Sequence, residues 1–202
     1  ALDAGDTATD VFNYTVSDGT ATDTATITIT VLGANDGPVA QNDVGVIVED
    51  GTLTVANGAN PTLSGSYDET GEHSGDVLQT SSISHKDNDA DGDDPANLVV
   101  SAVRVGSSEG GGTAGTLGQA LTGTYGQLTL NDDGSYTYVA NQDAADALDA
   151  GDTATDVFNY TVSDGNGGTD IALITITVLG ANDAPVAQND VGVIVEDGTL
   201  TV

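Results

Sequence analysis

The chain has 202 residues and carries 32 Asp and Glu against Lys86 and Arg104 alone, a formal net charge of −30. So few cations cannot neutralise phosphates, which excludes nucleic acid and anionic membrane surfaces as partners; no apolar run reaches the about 18 residues of a spanning helix, which excludes membrane insertion. Cysteine and tryptophan are absent, so thiol catalysis, zinc–thiolate sites and disulfide staples are excluded, and an aromatic sugar platform has little to be built from.

Val11–Val16 (VFNYTV) alternates apolar and polar residues and reads as a strand. Ser17-Asp18-Gly19 is a turn, and Thr24–Leu32 (TATITITVL) is a second strand with Thr outward and Ile or Val inward. Gly33, Asn35-Asp36 and Pro38 then form a junction. Val44–Val48 and Thr52–Val55 are strands around Glu49-Asp50-Gly51, followed by a loop at Asn57–Pro61. Leu63–Tyr67 and Val77–Ile83 are weaker strand candidates on either side of the polar Asp68–Gly75 segment. Lys86–Asn97 is an acidic loop, Leu98–Val105 a strand, and Ser107–Gly115 a flexible segment. Tyr125–Leu130 and Ser135–Val139 flank Asn131-Asp132-Asp133-Gly134, a hairpin signal. Asp143–Ala150 reads as a short helical turn before a final hairpin ending at Leu179.

An internal repeat organises these elements. Ala1–Gly19 recurs unchanged as Ala147–Gly165, and Pro38–Val55 recurs as Pro185–Val202. The repeat is about 147 residues long, the spacing from Pro38 to Pro185, which is a whole domain rather than a solenoid unit. Residues 1–36 read as the C-terminal part of a preceding repeat, 37–183 as a complete repeat, and 184–202 as the N-terminal start of the next. The chain thus reads as a segment of a longer tandem array. Its end segments are expected to need neighbouring repeats, or equivalent segments of identical chains, to complete their sheets. Short strands with Gly and Asp turns predict an all-β fold, an antiparallel β-sandwich longer than an immunoglobulin-like domain by an insertion over 68–97.

The acid load opposes compaction and leaves two outcomes, disorder or bound cations. The alternating β-branched runs favour the second. Asp87, Asp89, Asp91 and Asp93 alternate around Gly92, and such a turn can fold several oxygens onto one Ca2+. An EF-hand would place Glu at the twelfth position, where Leu98 stands, so further ligands must come from elsewhere. The junction supplies a second set: Asn35, Asp36, Asp43, Glu49 and Asp50, repeated as Asn182, Asp183, Asp190, Glu196 and Asp197, with Asp18 and Asp164 one hairpin away. The alternative for both sets is turn chemistry and solvated charge. For Asp3, Asp6, Asp10, Asp149, Asp152 and Asp156, turn and cap roles are the simpler reading. His73 and His85 are the only histidines, both near acidic residues, and nothing in the sequence marks the nucleophile and oriented base of an enzyme.

Three motifs in order resemble the VCBS repeats of large bacterial surface proteins: Gly123–Tyr138 (GTYGQLTLNDDGSYTY), Asp156–Asp170 (DVFNYTVSDGNGGTD) and Ile174–Asp183. Asp87–Asp93 resembles the acidic loop of bacterial cadherin-like modules, and Ala181–Pro185 is similar to the calcium linker of cadherins, though shorter. The resemblance implies an immunoglobulin/cadherin-like sandwich in a tandem array. It further implies a calcium-rigidified extender of a giant RTX-type, type-I-secreted adhesin at a Gram-negative cell surface. Such an extender serves adhesion and biofilm formation by projecting distal domains that bind a glycan or protein. The segment 68–84 fits no part of that pattern. Two other readings stay open: an adhesive module that itself binds glycan or protein through 68–97, and a subunit of an extracellular fibre with sheets completed between chains. A polysaccharide hydrolase is the weakest.

Overall fold

A computed structural model describes residues 2–58, 62–64, 75–78, 89–91, 97–185, 187–199 and 201, the three at 62–64 by backbone alone. Among these residues there are strands and turns and no helix. Strand β1 (Thr7–Ser17) and β2 (Thr22–Leu32) form a separate antiparallel hairpin. The remaining strands build two five-stranded sheets. One takes the order β3 (Asp43–Val48), β12 (Thr169–Leu179), β11 (Thr153–Ser163), β6 (Val99–Val105) and β7 (Thr113–Ala114). The other takes the order β5 (Thr62–Ser64), β4 (Thr52–Val55), β10 (Tyr136–Val139), β9 (Gln127–Leu130) and β8 (Leu121–Thr122). The fold is an all-β sandwich in which every named strand pairing is antiparallel except β3 with β12.

Period-two patterning explains the core. Ala172, Ile174, Ile176 and Val178 of β12 turn inward while the residues between them remain half-exposed. Phe158, Tyr160 and Val162 of β11 join them, and the facing sheet contributes Leu53, Val55, Leu128, Leu130, Tyr136 and Tyr138. The Tyr138 and Phe158 rings meet edge-on with centroids 6.2 Å apart, linking the two sheets.

The repeat exposes how much of this depends on context. Strand β1 has the same eleven residues as β11. Yet Phe12 is 52% exposed where Phe158 is buried, and Ile29 is 48% exposed where Ile176 is buried. The hairpin registers are equivalent, so local sequence and cross-strand pairing suffice for the hairpin. Burial of its apolar face comes only from the second sheet.

Several sequence expectations need correction. The Ser107–Gly115 segment contains β7, which pairs with the end of β6. Asn159 holds that loop: its amide donates to the Gly106 and Gly111 carbonyls and its Oδ1 accepts from Gly110 N–H. The short helical turn expected over 143–150 is present, with Ala145 and Asp146 N–H both donating to the Gln142 carbonyl, and it does not extend into a helix. Val77 and Leu78 sit in a turn rather than a strand, with 79–83 outside the described residues. His73, His85 and most of the 68–97 insertion also lie outside them.

Candidate metal centre

The path of the chain fixes where acid can gather. Residues 35–42 run beside β12: Asn35 reaches Asp164, Ala40 N–H donates to Asp170 Oδ2, and Leu173 N–H donates to Asn42 Oδ1. Strand β3 continues parallel to β12, from Asp43 opposite Ile174 to Val48 opposite Leu179. The chain then leaves β12 at Gly180, at the other end. Eleven strand residues at about 3.3 Å each separate the two ends by about 35 Å.

At the entry end, Asn35 Nδ2 donates to Asp164 Oδ2 at 2.7 Å and to the Asp36 carbonyl at 3.0 Å. Asp164 is buried, and its Oδ1 accepts from Asn166 and Gly168 N–H. The Asn35 amide, followed by these turn N–H groups, holds the Asp164 carboxyl below the usual range. Gly168 is needed here, because a Cβ would collide with the Asp164 carboxylate and with Gly37.

A little further in, the acidic loop docks on the same segment. Val39 and Ala90 exchange two backbone hydrogen bonds of 2.7 and 3.0 Å, and Gln41 N–H donates to Asp89 Oδ1 at 2.7 Å. Three acceptors surround the Tyr160 hydroxyl: the Gln41 carbonyl at 2.9 Å, the Val77 carbonyl at 3.1 Å and Asp89 Oδ2 at 3.4 Å. Asp89, Asp91 and Asp43 are all buried. Two predicted ligand sets, the acidic loop and the first junction, are therefore brought to one flank of the sandwich. Asp87 and Asp93 lie outside the described residues.

Glu49 and Asp50 do not join this group. They follow β3 and lie at the exit end, about 20 Å from Asp43 by strand length. The first-junction set is thus split by the strand that its own sequence forms. Glu49 meets the second junction instead: its N–H donates to the Leu179 carbonyl, and its Oε1 accepts from Ala181 N–H at 2.7 Å. Its Oε2 is buried with no hydrogen-bond partner. Burial, and after it the charges of Asp183, Asp50 and Asp146, push the Glu49 carboxyl above the usual range. Asp146 is a member of this end that sequence spacing did not single out. A buried carboxylate oxygen with no donor, among three further acids, fits a hard cation. No three acidic or histidine side chains converge tightly enough to form a ready cage among the described residues.

Asn182 and Asp183 are exposed beside Glu49's end, with Asn182 Nδ2 on the Asp183 carbonyl. Asp190 and Glu196 stand in the exposed final segment, outside any strand. Asp156, read from sequence as a turn residue, has a different part. It is buried and accepts from Thr124, Tyr125 and Gly126 N–H and from the Tyr138 hydroxyl. Four donors already satisfy it, so it is a structural staple rather than a ligand.

The sandwich is thus entered at one end and left at the other, with carboxylates at both. Residues 35–180 match the family model described as the bacterial cadherin-like domain, and the chain belongs to that family. A curated relative, the calcium-binding lectin RapA2 of Rhizobium johnstonii, is 30% identical over 128 residues, covering 63% of this chain and 50% of the relative. The match thus spans half the length of that protein. Among solved structures, a protocadherin gammaB7 EC3-6 cis-dimer aligns with 86% of this chain and 32% of its own, at 11% identity and a TM-score of 0.38. An endo-fucoidan hydrolase of glycoside hydrolase family 107 aligns with 85% of this chain and 22% of its own, at 15% identity and a TM-score of 0.26. Both scores are too low to bear on function.

Proposed function

We propose that the chain is a calcium-stabilised extender of a bacterial surface or secreted adhesion protein, with residues 37–183 as the repeating unit. One observation carries this reading: the polypeptide enters and leaves at opposite ends of the sandwich, so successive units add length. The acid at each end supports calcium as the staple. Asn35, Asp36 and Asp164 would face one neighbour, and Glu49, Asp50, Asp146 and Asp183 the other, while Asp43, Asp89 and Asp91 would hold an ion inside the unit. Calcium supplies positive charge where these carboxylates are desolvated or crowded, and binding only to the folded state stabilises it by mass action. The role is non-enzymatic: it asks for stiffness and reach, and for neighbouring repeats as partners. The test is a calcium titration followed by calorimetry, with small-angle scattering to read length. Calcium-dependent stabilisation together with an elongated particle is the expected result; a compact particle indifferent to chelator would contradict it.

The RapA2 relative favours a second reading, a module that itself binds a glycan in a calcium-dependent way. Binding of the isolated chain on a glycan array, abolished by chelator, would select this reading over the extender.

A further inference from the structure

We propose that Asn166 is a self-modification site: the Gly167 backbone nitrogen closes on the Asn166 side chain, ammonia leaves, and an isoaspartate or aspartate remains in the turn that holds Asp164. The inference does not depend on calcium. The Asn-Gly pair occurs twice in the sequence, as Asn57-Gly58 and Asn166-Gly167. Glycine matters because it has no Cβ to keep its own nitrogen from the preceding side chain. The structure treats the two pairs in opposite ways.

At Asn57 both reacting groups are tied. The Gly58 N–H, which would attack, donates to Asp76 Oδ2 at 2.7 Å. The Asn57 amide, which would leave, donates to the Asp133 carbonyl at 2.8 Å. At Asn166 the side-chain amide has no hydrogen-bond partner among the described residues; only its backbone N–H is engaged, on Asp164 Oδ1. The Gly167 N–H is the weakest of the donors that hold the Asp164 carboxyl down. Asn166 and Gly167 are both exposed, and nothing lies within 4 Å of where a Gly167 Cβ would stand. Water and room for ring closure are both at hand.

The step balances without an outside reagent other than water. The bond from Gly167 N to Asn166 Cγ forms, the Cγ–Nδ2 bond breaks, and the Gly167 N–H proton leaves with Nδ2 as ammonia. Water then opens the five-membered imide. Opening at Cγ gives aspartate; opening at the former backbone carbonyl gives isoaspartate, with the chain now running through Cβ and Cγ.

The product acts on the entry end. Asn166 and Gly168 N–H both donate to Asp164 Oδ1, at 2.8 and 3.0 Å. Isoaspartate inserts a methylene into the backbone between these two donors, so they lose that spacing. Its new carboxylate also disfavours the ionised Asp164 beside it. Both effects weaken the bond of 2.7 Å from Asn35 Nδ2 to Asp164 Oδ2, so ageing loosens residues 35–37 from the sandwich. The repeat supplies its own control. In the turn after β1, Thr20 N–H donates to Asp18 Oδ1 as Asn166 does to Asp164 Oδ1, and a threonine has no amide to lose.

The experiment ages the whole chain in warm, mildly alkaline buffer and maps it by mass spectrometry, with enzymatic methylation to detect isoaspartate. The expected result is replacement of NH2 by OH at Asn166, with isoaspartate there. The two hydrogen bonds at Asn57 should slow its conversion by about tenfold or more. Asn166→Thr should abolish isoaspartate at this turn. Amide exchange at residues 35–37 should quicken in the aged wild type and not in Asn166→Thr aged beside it. Conversion at Asn57 as fast as at Asn166, or none at Asn166, would overturn the assignment. Unchanged exchange at residues 35–37 in fully converted chain would overturn its effect on the junction.

Discussion

The Tyr138 hydroxyl donates to Asp156 Oδ2 over 2.7 Å, inside the sandwich. Burial first, and the Asp156 carboxylate second, raise the tyrosine's pKa, so it remains a donor throughout the accessible pH range. The same carboxylate accepts the N–H groups of Thr124, Tyr125 and Gly126, which ties the β8–β9 turn on one sheet to β11 on the other. Asp156→Ala leaves four donors unmet, two of them in buried bonds, and is expected to cost about 3–4 kcal/mol of unfolding free energy. Tyr138→Phe removes one bond and is expected to cost about 1–2 kcal/mol. Asp10→Ala, the same residue in the exposed β1 copy, should stay within about 0.5 kcal/mol. Urea denaturation of the three variants checks the contrast, and equal losses at Asp10 and Asp156 would contradict the staple.

Glu49 should make the metal-free chain less stable as pH rises. Its folded pKa lies above the unfolded value of 4.5, so protonation favours the folded state. The cost of ionising it is absent below the unfolded pKa, and grows as pH climbs from there through the raised folded pKa. Glu49→Gln removes that cost. In excess chelator its melting temperature at neutral pH should exceed the wild type's, and its pH slope in this window should be flatter. It should also gain less from calcium. Parallel pH curves for the two proteins would show that Glu49 is not under this strain.

Asp164 behaves in the opposite sense. Asn35 holds its folded pKa below the ordinary 3.8, so its contribution is present above the unfolded pKa and lost as pH falls through the folded one. Asn35→Ala should return the Asp164 carboxyl toward 3.8, followed by NMR titration of its side-chain carbon. Gly168→Ala should disturb the same contact by steric collision and loosen residues 35–37 from the sandwich, read as faster amide exchange at the junction. An unmoved Asp164 titration in Asn35→Ala would contradict the assignment.

Asn159→Ala should cost about 1–3 kcal/mol, because three hydrogen bonds to Gly106, Gly110 and Gly111 are lost in a buried setting. Asn13→Ala, its exposed counterpart, should be nearly neutral. Chemical denaturation decides between them.

Much of the fold can be read from alternation alone. Thr24–Leu32 and its copy declare their strands by strict period two, and Asn131–Gly134 declares its hairpin by turn chemistry. What cannot be read locally is what tertiary context decides. Phe12 and Phe158 stand in identical eleven-residue strands, and only the second is covered by a facing sheet. Asp190–Val195 has the sequence of β3 but no β12 edge to lie on. The parallel pairing of β3 with β12 leaves no short-range signal, since its partners are more than a hundred residues apart. The same cause divided the candidate site. Asp43 and Glu49 are close in sequence, but the strand between them puts Glu49 at the exit end and leaves Asp43 about 20 Å away, beside the middle of β12. Asp146 and Asp183 approach Glu49 only through the fold.

The most direct test of the extender reading is the thermal unfolding midpoint of this chain in millimolar calcium and again in excess chelator. Saturation at about a hundred times the dissociation constant contributes about 2.7 kcal/mol per site. For a domain of this size that is a rise of roughly 5–10 °C. A rise of that order, reduced in Glu49→Gln, is the predicted result. Identical midpoints with and without calcium would mean that the acid is surface charge alone, and would contradict the account.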